Sequence, residues 1–458
     1  MSGADPRARA PRPGPVRPFH FPAVERRTLG NGLQLLVAET HRFPLVSLEL
    51  VMNAGATAED EPRGGVASLT AGLLESGAGG RTADEIAQTA DGLGLSLDSS
   101  PGWDVVQAGF TALRARMEDG LTLLADLVRR PTFPQPEVER LVHERLGTLA
   151  HRRTDPSATA NELFSRYVFE EGSPFARPLG GSEATVTALG RDEVAAFHAA
   201  RYAPAGSTLV ASGDVSADEL VALAERFFGD WRGESLPAAV AAVKPRSDAP
   251  AIVVAHRPGA VQSEVRVGHL GVERGAPDYI HLLVMNTILG GSFSSRLNLN
   301  LRERLGYTYG VSSTWNVRRQ AGSFSVSTAV QSEVTAHAVE EIVREMSGMR
   351  EAEVTEAELR DARDYLAGVF PLSTETTLGV ASRLAAMATY GLPTDYFQGH
   401  RERILAVTAG EVLEAARRRL YPDRVAIVVA GDADTVRAPL EALGMGPVEV
   451  VDPAAVLR

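Results

Sequence analysis

Two strong hydrogen-bond donors, Arg302 and Tyr309, stand seven residues apart in the second half of this chain. A guanidinium keeps its charge at any workable pH, and both it and a phenol are strong donors. Propensity alone gives the two plainer roles: an arginine in the last turn of a helix meets the helix dipole, and a strand tyrosine packs. The other reactive side chains offer less. There is no cysteine, so a bound metal would need histidine, aspartate or glutamate ligands. The ten histidines contain no H-x-x-x-H pair. His143 and His151 lie eight apart on one expected helix, with Glu144 between them, and read as surface histidines. His198 reads as a packed, hydrogen-bonded histidine, and Glu75, near a helix end, as a solvated carboxylate. Ser68 has no histidine or lysine base near it in sequence, which a serine nucleophile requires.

The apolar pattern supplies the elements that would carry these residues. Gly64 to Glu75 reads as a helix, with Val66, Leu69, Leu73 and Leu74 at helical spacing. Upstream, Leu35-Leu36-Val37 is an apolar run after Gly30-Asn31-Gly32, and Val46 to Gly55 alternates as a half-buried strand should. Downstream, Thr82 is an N-cap and Glu85 completes a capping box. In the second half Gly290-Gly291 should break one helix, and Ser294 to Leu305 reads as the next, stopped by Gly306. Tyr307, Tyr309 and Val311 then alternate as on a strand.

The two halves repeat. Tyr202-Ala203-Pro204 and the run Ser207 to Asp214 return as Tyr421-Pro422-Asp423 and Val425 to Asp432, which places Gly213 against Gly431, 218 residues on. At nearly the same offset Val46–Val51 meets Glu264–Leu270, and the helix at Val66–Leu74 meets His281–Leu289. That period is far too long for a solenoid unit and indicates a duplicated α+β domain.

The helix at Gly64–Glu75 resembles the metal helix of the inverzincin peptidases, the pitrilysin, insulinase and mitochondrial processing peptidase family, whose signature is H-x-x-E-H. Gly79-Gly80-Arg81-Thr82-Ala83-Asp84-Glu85-Ile86 is similar to the helix start that follows it in that family, and Gly290 to Leu297 with Arg302-Glu303 and Gly306 to Tyr309 resembles the family's second conserved segment. The three motif places hold Ser68, Ala71 and Gly72. The family spacing to the last ligand reaches Thr148, and so does alignment of Asp155-Pro156 with the family's E-x6-D-P pattern. The resemblance therefore implies a member with no zinc site of its own. It also maps the family's substrate-binding arginine and tyrosine onto Arg302 and Tyr309, with Arg296 pairing inside its own domain. It implies an α+β fold of two tandem homologous domains, each a mainly antiparallel sheet packed with helices. The expected divisions are a disordered tail at 1–23, an N-terminal domain at 24–232 with the degenerate metal motif, a linker at 233–249, and a C-terminal domain at 250–458 with the Arg/Tyr pair. The implied role is the non-catalytic subunit of a heterodimeric zinc endopeptidase. It would supply Arg302 and Tyr309 in trans to a homologous partner holding the zinc, on a peptide or unfolded substrate. A scaffold or peptide-binding pseudo-peptidase with no proteolytic partner is the alternative.

Composition narrows the setting. A chain of 458 residues, 44% hydrophobic, can fill two cores. With 46 basic and 58 acidic residues its net charge of −12 argues against nucleic acid as a partner. No apolar stretch reaches the ~18 residues that span a bilayer. The arginine- and proline-rich first 27 residues lack the apolar core of a secretory signal. The expected compartment is the cytoplasm, with the periplasm as the alternative.

Overall fold

The structure, a computed structural model, describes residues 18–234 and 243–456. Its frame is two six-stranded sheets. The first uses β1 (Val24–Thr28), β2 (Gln34–Glu39), β3 (Leu45–Met52), β4 (Ser96–Pro101), β5 (Val106–Leu113) and β6 (Ser207–Gly213), in the order β1-β2-β6-β3-β5-β4. The second uses β7 (Ala251–His256), β8 (Gln262–Leu270), β9 (Val311–Asn316), β10 (Ser323–Gln331), β11 (Ala426–Gly431) and β12 (Val448–Val451), in the order β12-β7-β11-β8-β10-β9. From β2 onward the two orders correspond strand for strand. The outer edges differ: β1 runs antiparallel to β2, whereas β12 runs parallel to β7. Elsewhere the β2–β6 and β7–β11 pairs are parallel and the rest antiparallel, so the fold is α+β as the sequence implies.

Seven helices position the candidate residues: α1 (Val66–Gly72), α2 (Gln135–Thr154), α3 (Pro156–Val168), α4 (Tyr279–Asn286), α5 (Thr335–Glu351), α6 (Glu356–Leu372) and α7 (Thr377–Tyr390). One face of each sheet packs on helices of its own half. Leu35, Val37, Leu48 and Leu50 meet helices Ala83–Leu93, Met117–Arg129 and Ala217–Phe228. Ile252, Val254, Val265 and Ile427 meet α4 and α5. The opposite faces are covered by exchange. Helix α7 of the second half lays Val380, Ala381 and Leu384 on Leu36, Ala38, Val51 and Val210 of the first sheet. Helix α3 of the first half lays Ala160, Leu163 and Phe164 on Val253, Ala255, Val428 and Ala430 of the second. Polar pins fix both: Ser47 bonds Thr377 at 2.8 Å, and the buried Arg266 donates to Asn161 at 2.6 Å and Ser157 at 2.7 Å.

This exchange corrects the reading of Val46–Gly55 as half-buried. Alternation marks Leu48 and Leu50 as one face, but α7 covers the other, so six of the eight residues of β3 are buried. The capping box at Thr82 and Glu85 is present. The tail expected over 1–23 needs correction at its end. Phe21 is buried, and Phe19 and Phe21 pack on Phe370 of α6, with ring centroids 5.6 and 6.4 Å away. Part of the linker expected over 233–249 lies outside the described residues. Its far end runs beside α3, where Glu170 N–H donates to Lys244 O at 3.1 Å and Arg246 N–H to Val168 O at 3.1 Å.

Gly290-Gly291 ends the helix that enters it, as expected, after the winding changes: the chain is π-helical over Thr287–Gly291 and turns extended at Ser292. The glycines also serve close approach: a Cβ on Gly290 would stand 2.8 Å from the Ser313 backbone nitrogen on β9. The next helix is likewise π-helical over Asn298–Arg304, and Gly306 at φ +67° ends it, as expected of a C-terminal cap. Tyr307 and Tyr309 are not on a strand. β9 begins at Val311, and the residues from Gly306 to Gly310 form a loop.

Candidate functional site

Helix α1 is short and packed, and its N-terminus is filled from within the chain. The Glu59 carboxylate accepts from Gly65 N–H at 3.1 Å and Ala67 N–H at 2.8 Å, satisfying amides that a helix start leaves orphaned. Glu59 is fully shielded and paired with Arg177 at 2.8 Å. Burial pushes its pKa up, opposed by Arg177 and the two amides.

The four metal positions do not fit a metal. Ser68 donates its hydroxyl to Leu179 O at 3.3 Å. Ala71 is buried and has no ligand atom on its side chain. Gly72 has no side chain, and a Cβ there would already lie 3.1 Å from Leu141 Cδ2 on α2. Thr148 turns its hydroxyl back to Glu144 O, 3.0 Å away on the same helix. Two apolar positions and two hydroxyls committed to carbonyls cannot supply the nitrogen and carboxylate donors that zinc takes.

His143 and His151 both lie on α2, and His143 Nδ1 is 2.8 Å from Glu139 O. His198 is packed as expected: Nε2–H donates to Val128 O at 2.8 Å, and the ring lies against Tyr202 and Phe133. Burial lowers its pKa despite that bond. One cluster of potential ligands, His256, Asp432 and Asp434, matches no motif seen in the sequence. Two of the three cap backbone: Ala433 N–H donates to His256 Nδ1 at 3.1 Å, and Asp434 and Gly259 N–H donate to the Asp432 carboxylate at 3.2 and 3.3 Å.

Glu75 departs from its reading as a solvated carboxylate. It is partly buried, and its pKa is raised by that burial and by Asp98. Asp98 on β4 and Glu49 on β3 both lie opposite Gly109 of β5 and face each other across it. Glu49 Oε2 is shielded with no hydrogen-bond partner among the described residues. Burial, then Asp98, pushes its pKa up to about 7. The signal available in the sequence was the strand alternation, which sets Glu49 on the face of Ser47 and Val51. What it did not show is that a helix from the other half closes that face.

In the second half the π-helical turn Asn298–Arg304 is anchored inward. Leu297 and Leu301 are fully buried, and Asn300 donates to Glu341 at 2.6 Å and Glu345 at 2.8 Å on α5. Arg296 pairs in two-pronged fashion with Glu358 of α6 at 2.6 and 3.1 Å, inside its own half as the resemblance implied. Burial alone would raise Glu358, but Arg296 and the Thr355 cap outweigh it and hold the carboxyl down to about 2. Arg302 is differently placed. Its guanidinium lies 4.3 Å from the exposed Phe293 ring and 3.4 Å from Glu303, and it makes no hydrogen bond to a described residue. Tyr309 is 97% exposed. A phenol that packs on nothing and a guanidinium with free donors are both open to an external acceptor. The principal neighbours of α1 are all in the first half, so the degenerate metal positions and the Arg/Tyr pair stand on different halves.

Both halves of the chain resemble known proteins of one family. Residues 35–172 match the family described as insulinase (peptidase family M16), and residues 188–366 match the peptidase M16 inactive domain. An uncharacterized zinc protease of Mycobacterium tuberculosis is 28% identical over 438 residues, covering 93% of this chain and 98% of that one. The uncharacterized zinc protease YmxG of Bacillus subtilis is 22% identical over 79% of this chain and 87% of its own. The crystal structure of a peptidase M16 inactive domain from Pseudomonas fluorescens superimposes with a TM-score of 0.83 at 27% identity, covering 89% of this chain and 98% of that one. A Helicobacter pylori protease shares the fold at a TM-score of 0.80 and 17% identity, covering 89% and 99% of the two chains. The chain belongs to the insulinase-like M16 peptidase family, as a member lacking the catalytic metal motif. Among the described residues no helix is long and apolar enough to cross a membrane.

Proposed function

We propose that this chain is the non-catalytic subunit of a heterodimeric zinc endopeptidase. The metal and its water-activating glutamate belong to a homologous partner chain, and this chain brings Arg302 and Tyr309 to the same peptide substrate. One asymmetry carries the reading. The four metal positions hold no ligand, whereas Tyr309 is 97% exposed and Arg302, held only by Glu303 at 3.4 Å and the Phe293 ring, makes no hydrogen bond to a described residue. Donors fixed in advance around a developing oxyanion act without reorganisation at the moment of reaction. A peptide backbone beside the scissile bond offers such acceptors, and a guanidinium–phenol pair suits them without reading side chains.

The test is reconstitution. The purified protein is mixed with the zinc-bearing M16 chain of the same genome, and cleavage of an internally quenched peptide is followed. Activity is expected only in the mixture, and Arg302→Ala in this chain should lower turnover on the order of 10²-fold, as for a lost oxyanion donor. A partner fully active alone, or indifference to Arg302→Ala, overturns the reading. Labelled peptide bound by this chain, with no stimulation of the zinc-bearing chain, would favour the peptide-binding scaffold instead.

A further inference from the structure

Tyr309 is an aromatic ring on a surface loop with no packing partner, yet the backbone on both sides of it is pinned. Gly310 N–H donates to Thr308 Oγ1 at 3.0 Å, and the Thr308 hydroxyl donates to Gly310 O at 2.8 Å, so the two flanking residues are closed on each other across the tyrosine. Beneath them the buried Thr328 of β10 lies 3.0 Å from both Thr308 Oγ1 and Gly310 O, and its one proton goes to one of these. On the far side, the buried Asn298 treats Val311 as a neighbouring strand would. Its Nδ2 donates to Val311 O at 2.8 Å, and its Oδ1 accepts from Val311 N–H at 3.3 Å. The same amide lies 3.2 Å from Ser292 O, the residue before the Phe293 ring that faces Arg302. One buried side chain thus joins the two backbone segments beside the Arg/Tyr pair.

We propose that Thr328 and Asn298 are positioning residues that act through Tyr309. This rests on the reading that Tyr309 meets the substrate. Their hydrogen bonds settle the loop before substrate arrives, so that ordering it does not subtract from binding in the transition state. Neither side chain reaches the surface to touch substrate itself.

The chain has no cysteine, so Tyr309→Cys creates a single thiol for a nitroxide label. In that background the electron paramagnetic resonance spectrum should show restricted motion. Thr328→Val, which keeps the shape and removes the hydroxyl, should sharpen the lines, and Thr328→Ser should restore them. Asn298→Ala should act like Thr328→Val, with a thermal melt confirming that each variant is folded. In the reconstituted mixture, Thr328→Val should lower kcat about fivefold, roughly the worth of one neutral hydrogen bond, with little change in KM. The loss should vanish in a Tyr309→Phe background. Line shapes indifferent to Thr328→Val, or a fivefold loss that persists beside Tyr309→Phe, overturn the proposal. A silent Tyr309→Phe overturns the subunit reading instead, and the spectra still decide the positioning.

Discussion

Glu49 is the residue most out of keeping with its surroundings. A carboxylate on the central strand β3, with one oxygen shielded and unbonded and Asp98 facing it, is disfavoured in its charged form. Its folded pKa of about 7 lies above the ordinary value of 4.5, so the folded state holds the proton more tightly than the unfolded chain. That contribution is complete below pH 4.5 and is lost as pH rises through about 7. The size is on the order of 3 kcal/mol by proton linkage. Glu49→Gln should therefore raise the melting temperature at pH 8 and leave it nearly unchanged at pH 5. Equal melts of the two proteins at pH 8 would refute this. The residues that carry no chemistry were easier to read than Glu49. Ser68, Ala71, Gly72 and Thr148 disclose their inability to bind metal by type alone. The burial of Glu49 depends on a helix more than three hundred residues further along the chain.

Among the elements, the segment from α4 to β9 departs furthest from its expected form. The sequence marked its stops at Gly290-Gly291 and Gly306, and the helical stretches end there. It did not mark the π-helical winding of Thr287–Gly291 and Asn298–Arg304, because five-residue hydrogen bonding leaves no distinct apolar period over so short a stretch. Nor did it show that Tyr309 leaves the strand, since an alternation of Tyr307, Tyr309 and Val311 looks the same on a loop. Gly290 illustrates what the winding demands. Alanine there gains up to about 1 kcal/mol of helix propensity but presses a methyl on the Ser313 backbone, which strand pairing with Val326 holds in place. Overpacking of this kind costs about 1–3 kcal/mol, so Gly290→Ala should lower the melting temperature. Gly348→Ala in α5, where a Cβ meets nothing within 4 Å, should raise it. Equal shifts in calorimetry would show that the close approach to β9 does not matter.

For the whole molecule, the duplication was legible as a repeat of 218 residues, and the sheets bear it out strand by strand from β2 onward. The exchange of α3 and α7 was not legible, because an apolar helix face does not name the sheet it covers. Arg318 adds to the joint, its guanidinium 4.2 Å from Phe175 and 4.5 Å from Trp103 in the other half. Residues 1–234 produced alone should bind a hydrophobic dye and aggregate, because Leu36, Ala38, Val51 and Val210 would lack their cover. Co-production of the second half should rescue them, and a soluble, dye-free fragment would contradict this. The exchange also sets an order of completion during synthesis. The first sheet is complete once Gly213 is made, but the helix that seals it begins only at Thr377, so the nascent chain carries an open apolar face while the residues between them are added. Chaperone protection should be needed until Tyr390 has cleared the exit tunnel, and stalled chains on either side of that point should differ sharply in it.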